Sequence, residues 1–263
     1  MKSYPIYQVD AFTDHLFGGN PAAVCPLKSW LPTEVMQQLA MENNLSETAF
    51  FVQHNDEFEI RWFTPEVEID LAGHPTLATA FVIFNILKLA KHRIQFKSKS
   101  GLLIVEKKDD WLVMNFPSRM PEQVHNIPHH LLKGFNIAPQ SVWKSRDYLL
   151  VYPNESTIQQ LIPNFVELNQ LNTLGIIVTA EGNETNFVSR FFVPNSVIGE
   201  DPVTGSAHAT LIPFWSKVLN KQQLTAKQIS KRGGTLLCEM HHERVHISGK
   251  ATLYMKGEYY LAE

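Results

Sequence analysis

The sequence predicts an α+β fold of two pseudo-symmetric lobes, each a barrel-like mixed β-sheet curled around one central α-helix. Three observations lead there. First, two blocks recur at an offset near half the chain length. Arg61-Trp62-Phe63-Thr64-Pro65 returns as Arg190-Phe191-Phe192-Val193-Pro194, 129 positions on, and Gly73-His74-Pro75-Thr76-Leu77-Ala78 returns as Gly205-Ser206-Ala207-His208-Ala209-Thr210, 132 positions on. Two echoes in the same order in a chain of 263 residues mark an internal duplication. Second, a helix that is apolar nearly all round starts at each glycine block. Residues 76–89 carry Leu77, Phe81, Val82, Ile83, Phe84 and Leu87, and residues 207–219 carry Leu211, Ile212, Phe214, Trp215 and Val218. A helix without a polar face must be enclosed by protein. Third, most of the remainder reads as strands, and a sheet is the element available to enclose it.

In chain order, strands are expected at residues 6–11, 49–52, 58–63, 94–96, 102–105 and 111–116. The second half adds 148–152, 175–179, 186–193, 236–240, 244–248 and 251–255. Each is rich in β-branched or aromatic residues and is bounded by turn signals. Surface helices are expected at 32–43, 128–133 and 163–171. Both Arg-aromatic-aromatic strands stop at a proline, which has no N–H for the ladder. An acidic loop follows (Glu66, Glu68 and Asp70; Glu200 and Asp201), then glycine, then the buried helix. Pro75 sits near the first helical position, where a missing N–H costs nothing. Pro213 falls inside the second helix and should kink or loosen it. The lobes are expected to span 1–116 and 117–263, with a return of the last strand to the first lobe as the alternative.

Apolar residues make up 44% and charged residues 19%, a globular rather than a disordered composition. The formal charge of -3 leaves no basic excess for phosphates, so nucleic acid is not an expected partner. The longest apolar stretch, 78–87, is interrupted by Thr79 and Asn85 and is too short to span a membrane. The opening MKSYPIYQVDAF alternates polar and apolar residues and lacks the apolar run of a signal peptide. Cys25 and Cys238 stand alone, with no CxxC or Cys/His cluster, as expected of reduced thiols in a cytoplasmic protein. Walker A, G-x-G-x-x-G and G-x-S-x-G patterns are missing from the sequence. His242-Glu243-Arg244-Val245-His246 fits the zinc-protease pattern H-E-x-x-H, but its flanks alternate like a hairpin. On a strand the two imidazoles would stand roughly 13 Å apart, too far to share a metal. No metal site is expected.

The two glycine-to-helix junctions are the strongest pointers to chemistry. A helix start offers unpaired N–H groups and partial positive charge to a carboxylate, and glycine lets a ligand come close. In a duplicated protein the two junctions can face each other across the lobe interface, a common place for a small-molecule site. The bland alternative is that Gly73 and Gly205 only permit tight turns. In an extended Asn44-Leu45-Ser46-Glu47-Thr48-Ala49-Phe50-Phe51, Glu47 shares its face with Leu45, Ala49 and Phe51. A carboxylate desolvated among apolar neighbours holds a proton more readily and can take and return one. A glutamate at the lobe edge reaching water is the alternative. His74, just after its glycine, is placed to donate a hydrogen bond or carry a proton, or else to cap and pack. Asp201 can shuttle protons or hold an amine, or make an Asx-type turn. Ser206 matches His74 under the 132 offset and completes the second junction, or serves as a plain N-cap.

Five blocks together resemble the phenazine-biosynthesis PhzF-like family, which shares the diaminopimelate epimerase-like fold. They are Gly19-Asn20-Pro21-Ala22-Ala23-Val24, Asn44-Leu45-Ser46-Glu47-Thr48-Ala49-Phe50, Arg61-Trp62-Phe63-Thr64-Pro65, Ala72-Gly73-His74-Pro75-Thr76-Leu77-Ala78 and Glu200-Asp201-Pro202-Val203-Thr204-Gly205-Ser206-Ala207-His208. The resemblance implies a cofactor-free isomerase with its active site between two lobes. It implies Glu47 as principal acid/base with His74 and Asp201 beside it. It also implies Gly73, Gly205, Ser206 and Asn20 as substrate-binding residues for a small carboxylate, and a homodimer. True diaminopimelate epimerases carry a cysteine just before each junction glycine, where this chain has Ala72 and Thr204. A two-thiol mechanism therefore does not apply, and a shuttle by one carboxylate fits better. Two other readings stay open: an epimerase or racemase of an amino-acid derivative, with Glu47 and Asp201 on opposite faces, and a non-catalytic small-molecule binding protein.

Overall fold

The computed structural model describes residues 1–55 and 57–262. It divides into two compact units, Met1–Asn115 with Ser248–Glu263, and Phe116–Ile247.

The first unit contains β1 (Lys2–Ala11), β2 (Asn20–Leu27), α1 (Thr33–Asn43), β3 (Glu47–His54), β4 (Glu57–Phe63), β5 (Glu68–Ile69), α2 (Gly73–Phe81), β6 (Arg93–Ser98), β7 (Gly101–Lys108) and β8 (Trp111–Pro117). The C-terminal strand Ala251–Leu261 lies antiparallel to β1, and β1 lies antiparallel to β2. Next, β2 runs parallel to β3, and β3 is antiparallel to β4. β4 takes β5 antiparallel and β6 parallel, and β6 pairs antiparallel with β7. This mixed sheet wraps α2, whose residues from Gly73 to Ala80 are all buried. Two threonines survive there because their hydroxyls donate back along the helix, Thr76 Oγ1 to the Ala72 carbonyl (2.5 Å) and Thr79 Oγ1 to the Pro75 carbonyl (2.7 Å). The helix begins at Gly73 rather than at residue 76. Pro75 is compatible with this because its missing N–H falls among the four that no helix start can pair internally. A π-helical turn, Val82–Leu87, continues it and ends at Lys88 in the left-handed region (φ 54).

The second unit contains β9 (Glu122–Gln123), α3 (His129–Leu132), β10 (Ser141–Lys144), β11 (Tyr148–Val151), α4 (Glu155–Gln160), α5 (Phe165–Leu168), β12 (Ile176–Glu181), β13 (Phe187–Phe192), β14 (Glu200–Asp201), α6 (Gly205–Leu219), β15 (Gln223–Gln228), β16 (Gly234–His241) and β17 (Arg244–Gly249). Its pairings repeat those of the first unit. β9 and β11 flank β10 antiparallel, β11 is parallel to β12, and β12 is antiparallel to β13. β13 takes β14 antiparallel and β15 parallel, and β15 pairs antiparallel with β16. The sheet encloses α6, in which Gly205 and Ala207 through Ser216 are buried. Pro213 does not end this helix. The Ala209 carbonyl, which would have received the N–H of residue 213, accepts the Arg119 N–H instead at 2.9 Å.

Several elements depart from expectation. β2 carries Pro21 and Pro26 and so reads as irregular, yet both pair, with Asp10 and Phe51. The helix α4 is set by Asn154, whose side-chain oxygen accepts the Thr157 N–H at 2.9 Å. The H-E-x-x-H segment, by contrast, lies on a hairpin as expected, spanning a turn and a strand. His242 is left-handed (φ 54) between β16 and β17, and His246 lies on β17.

Candidate active site

In the first unit, Glu47 opens β3 opposite Ala22. Alternation places the buried Ala49 and Phe51 on the same face, so the carboxylate turns inward with 17% of its side chain exposed. His74, the second residue of α2, brings Nε2 to 3.0 Å from Glu47 Oε2. Its Nδ1 lies 3.1 Å from Nδ2 of Asn20, a fully buried residue at the start of β2. An amide nitrogen only donates, so Nδ1 is the acceptor and the ring hydrogen sits on Nε2, whose 3.0 Å contact with Glu47 Oε2 is close but not aligned as a hydrogen bond. Asn20, His74 and Glu47 thus form one ordered cluster. Beside it, α2 starts with no side-chain cap, because Ala72 has none to offer, and the Gly73 amide stands at that uncapped end.

In the second unit, Asp201 ends β14 opposite Phe191 and is 8% exposed. Its Oδ2 accepts a hydrogen bond from the Thr204 hydroxyl. Gln228, fully buried at the end of β15, accepts the Thr204 N–H (2.8 Å) and donates to the Asp201 carbonyl (2.8 Å). His208 Nδ1 donates to the Thr204 carbonyl at 2.9 Å, and burial pushes its pKa down to about 4, so the ring is neutral. Like α2, α6 has no side-chain cap. Ser206 Oγ accepts Arg146 Nη2 at 3.1 Å, and Arg146 is locked onto the buried Asp147 at 2.6 and 3.0 Å.

The residues singled out from sequence fall into two groups. Glu47, His74, Asn20 and Gly73 gather in the first unit; Asp201, Gly205 and Ser206 gather in the second. Sequence reasoning missed Gln228 and the Arg146–Asp147 pair. A lone glutamine at a strand end has no signature, whereas the Arg-Asp dipeptide before an apolar strand offered a faint one. Strand register also gives Glu47 a counterpart. Phe63 pairs with Thr48 as Phe192 pairs with Ile176, so Glu47 corresponds to Gly175. A Cβ at Gly175 would meet the Phe191 ring at 2.1 Å, so no acid fits there without a rearrangement. Among the described residues, no group of three or more His, Cys, Asp or Glu is arranged to hold a metal ion. No helix among them is long and apolar enough to cross a membrane.

Residues 9–257 match the sequence profile of the PhzC-PhzF, phenazine biosynthesis-like, proteins. The chain belongs to that family. A Pseudomonas aeruginosa protein named as an isomerase is 50% identical over 256 residues, 97% of this chain and 98% of its own. A crystal structure of a PhzF-family phenazine biosynthesis protein from Enterococcus faecalis superposes with a TM-score of 0.95 at 49% identity, covering 99% of this chain and 100% of that one. A probable proline racemase from Agrobacterium radiobacter shares the fold at a TM-score of 0.65 and 8% identity, covering 98% and 93%. The PhzF family is one of isomerases, and this member is an enzyme of that class.

Proposed function

We propose that this family member moves a proton within a small carboxylate-bearing metabolite, and that Glu47 is the group that carries it. The observation that supports this is the Asn20–His74–Glu47 cluster, which sets an inward carboxylate 3.0 Å from the imidazole. In this reading Glu47 removes a proton from a carbon beside an electron-withdrawing group and becomes a carboxylic acid. The electron pair left behind delocalises into the substrate. Glu47 then returns the proton at another carbon. His74, with Nε2 3.0 Å from Oε2, keeps the Glu47 carboxylate in place as the proton moves. The Gly73 and Gly205 amides and Ser206 bind the substrate carboxylate and stabilise charge as it develops. Asp201, oriented by Thr204 and Gln228, holds a hydroxyl or amine of the substrate. The chemistry draws only on side chains and amides of this chain. The family resemblance supports a homodimer, and the unpaired Cys25 and Cys238 support a cytoplasmic enzyme.

The test is a metabolite screen in D₂O. The true substrate gains deuterium with wild-type enzyme, and Glu47→Gln abolishes the gain while the thermal melt is unchanged. Undiminished turnover in that variant removes Glu47 from the central role. Asp201, a buried carboxylate in the second unit, favours one other reading: epimerisation with an acid on each face. Chiral analysis of the product separates the two. Binding of a metabolite without any exchange would instead mark a binding protein on this scaffold.

A further inference from the structure

The second unit holds a guanidinium that has no ion-pair partner among the described residues. Arg119 is pinned by its backbone N–H to the Ala209 carbonyl of α6, and its side chain is only partly exposed. Among the described residues its guanidinium makes no ion pair and no hydrogen bond; its electrostatic neighbours are Arg146 and Asp147. Arg146 spends Nε and one Nη on Asp147 and also reaches Ser206. One turn further along α6, Ser145 Oγ and Thr210 Oγ1 are 3.0 Å apart. Ser145, Arg146 and Arg119 therefore border one face of the first two turns of α6.

This cluster sums to two guanidinium groups against one carboxylate, with the positive end of a helix beside them. Burial and the neighbouring Arg146 both hold Arg119 below its ordinary guanidinium value, with Asp147 opposing. A guanidinium does not shed its proton in a protein, so such a site is relieved by an anion from outside. The Arg119 donor fork, with the remaining Nη1 of Arg146 beside it, suits a carboxylate or phosphate group. We propose that Arg119 and Arg146 form a second-anion subsite beside Ser206, so that the substrate carries two acidic groups. One is held by helix-start amides and the other, a carboxylate or phosphate, by the arginines. The inference rests on reading the start of α6 as a substrate site.

Calorimetric titration at low ionic strength compares propionate with succinate and glycolate with phosphoglycolate, pairs that differ by a second acidic group. Wild-type protein is expected to bind the diacid of at least one pair at least about tenfold more tightly, the scale of one charge-assisted contact. The pair that shows it distinguishes carboxylate from phosphate. Arg119→Gln removes the preference without lowering the melting temperature, since that side chain has no protein partner to lose, and Arg119→Lys retains part of it. Equal binding of both members of each pair, no binding at all, or a preference that survives Arg119→Gln overturns the proposal. Glu47→Gln keeps the preference while losing proton exchange. If wild-type protein exchanges no metabolite yet prefers diacids, the isomerase reading fails and the subsite stands.

Discussion

Arg61 and Arg190 hold the same place in the two units, and their surroundings differ in an instructive way. Each guanidinium lies near the aromatic ring two residues on, at 5.2 Å from Phe63 and 4.8 Å from Phe192. Each grips a glutamate through two nitrogens, Glu68 at 2.7 and 2.8 Å and Glu200 at 2.7 and 2.9 Å. The remaining donors diverge. Arg61 reaches the exposed Thr33 hydroxyl, whereas Arg190 closes off the Ile158 and Leu161 carbonyls. The helix starts follow the same rule. Thr76 and His208, offset by 132, both bond the carbonyl of the residue just before their helix. At the next level the correspondence ends: Glu47 is matched by Gly175, and His74 by Ser206. Duplication has kept the groups that hold strand to helix and has let the reactive groups differ. The acid and its oriented imidazole lie in the first unit; the second is built around hydrogen-bonded loops and arginines.

That contrast can be broken at three points, in order of expected effect. Arg190→Met strands two carbonyls and a glutamate and should cost about 3 kcal/mol, against about 1 kcal/mol for Arg61→Met. Urea unfolding measures both, and equal losses would erase the difference between the units. Gly175→Ala drives a Cβ into the Phe191 ring and should cost about 2–3 kcal/mol by overpacking, whereas Glu47→Gln at the matching position leaves stability nearly unchanged. A Gly175→Ala protein that melts like wild type would mean the second unit has room for an acid after all.

The smallest effect depends on pH. His208 is depressed to about 4 in the fold from an ordinary value of 6.5, so the unfolded chain takes up its proton first. The stability linked to it is fully present above about pH 6.5 and is lost as pH falls through about 4. Between pH 7 and pH 5 the loss should be about 2 kcal/mol. It should shrink in His208→Gln. Its counterpart Thr76 does not titrate, so a first-unit variant such as Thr76→Ser should leave the pH slope unchanged.

The sequence was most informative where one physical requirement dominates. The Arg-aromatic-aromatic-Pro strands and the all-apolar helices announced the duplicated scaffold because burial leaves few alternatives. Residues 207–219 read as helix despite Pro213, but the rescue of the Ala209 carbonyl by Arg119 was invisible, since that partner lies 90 positions away. β2 was lost because Pro21 and Pro26 imitate a loop. Within the candidate site, Glu47 and His74 stood out by their neighbours. The tautomer of His74 did not, because it depends on Asn20 from another strand. Gln228 and Arg146 act through partners distant in sequence, and no local pattern records such contacts.

Proton exchange, followed by NMR in D₂O with the true substrate, puts the division of labour to its sharpest trial when Glu47→Gln and Asp201→Asn are run side by side. The account predicts that Glu47→Gln falls at least about a thousandfold in deuterium incorporation, within the range for a lost acid–base group. Asp201→Asn should bind more weakly yet still incorporate label. Exchange that persists in Glu47→Gln and vanishes in Asp201→Asn would put the proton carrier in the other unit and contradict the account.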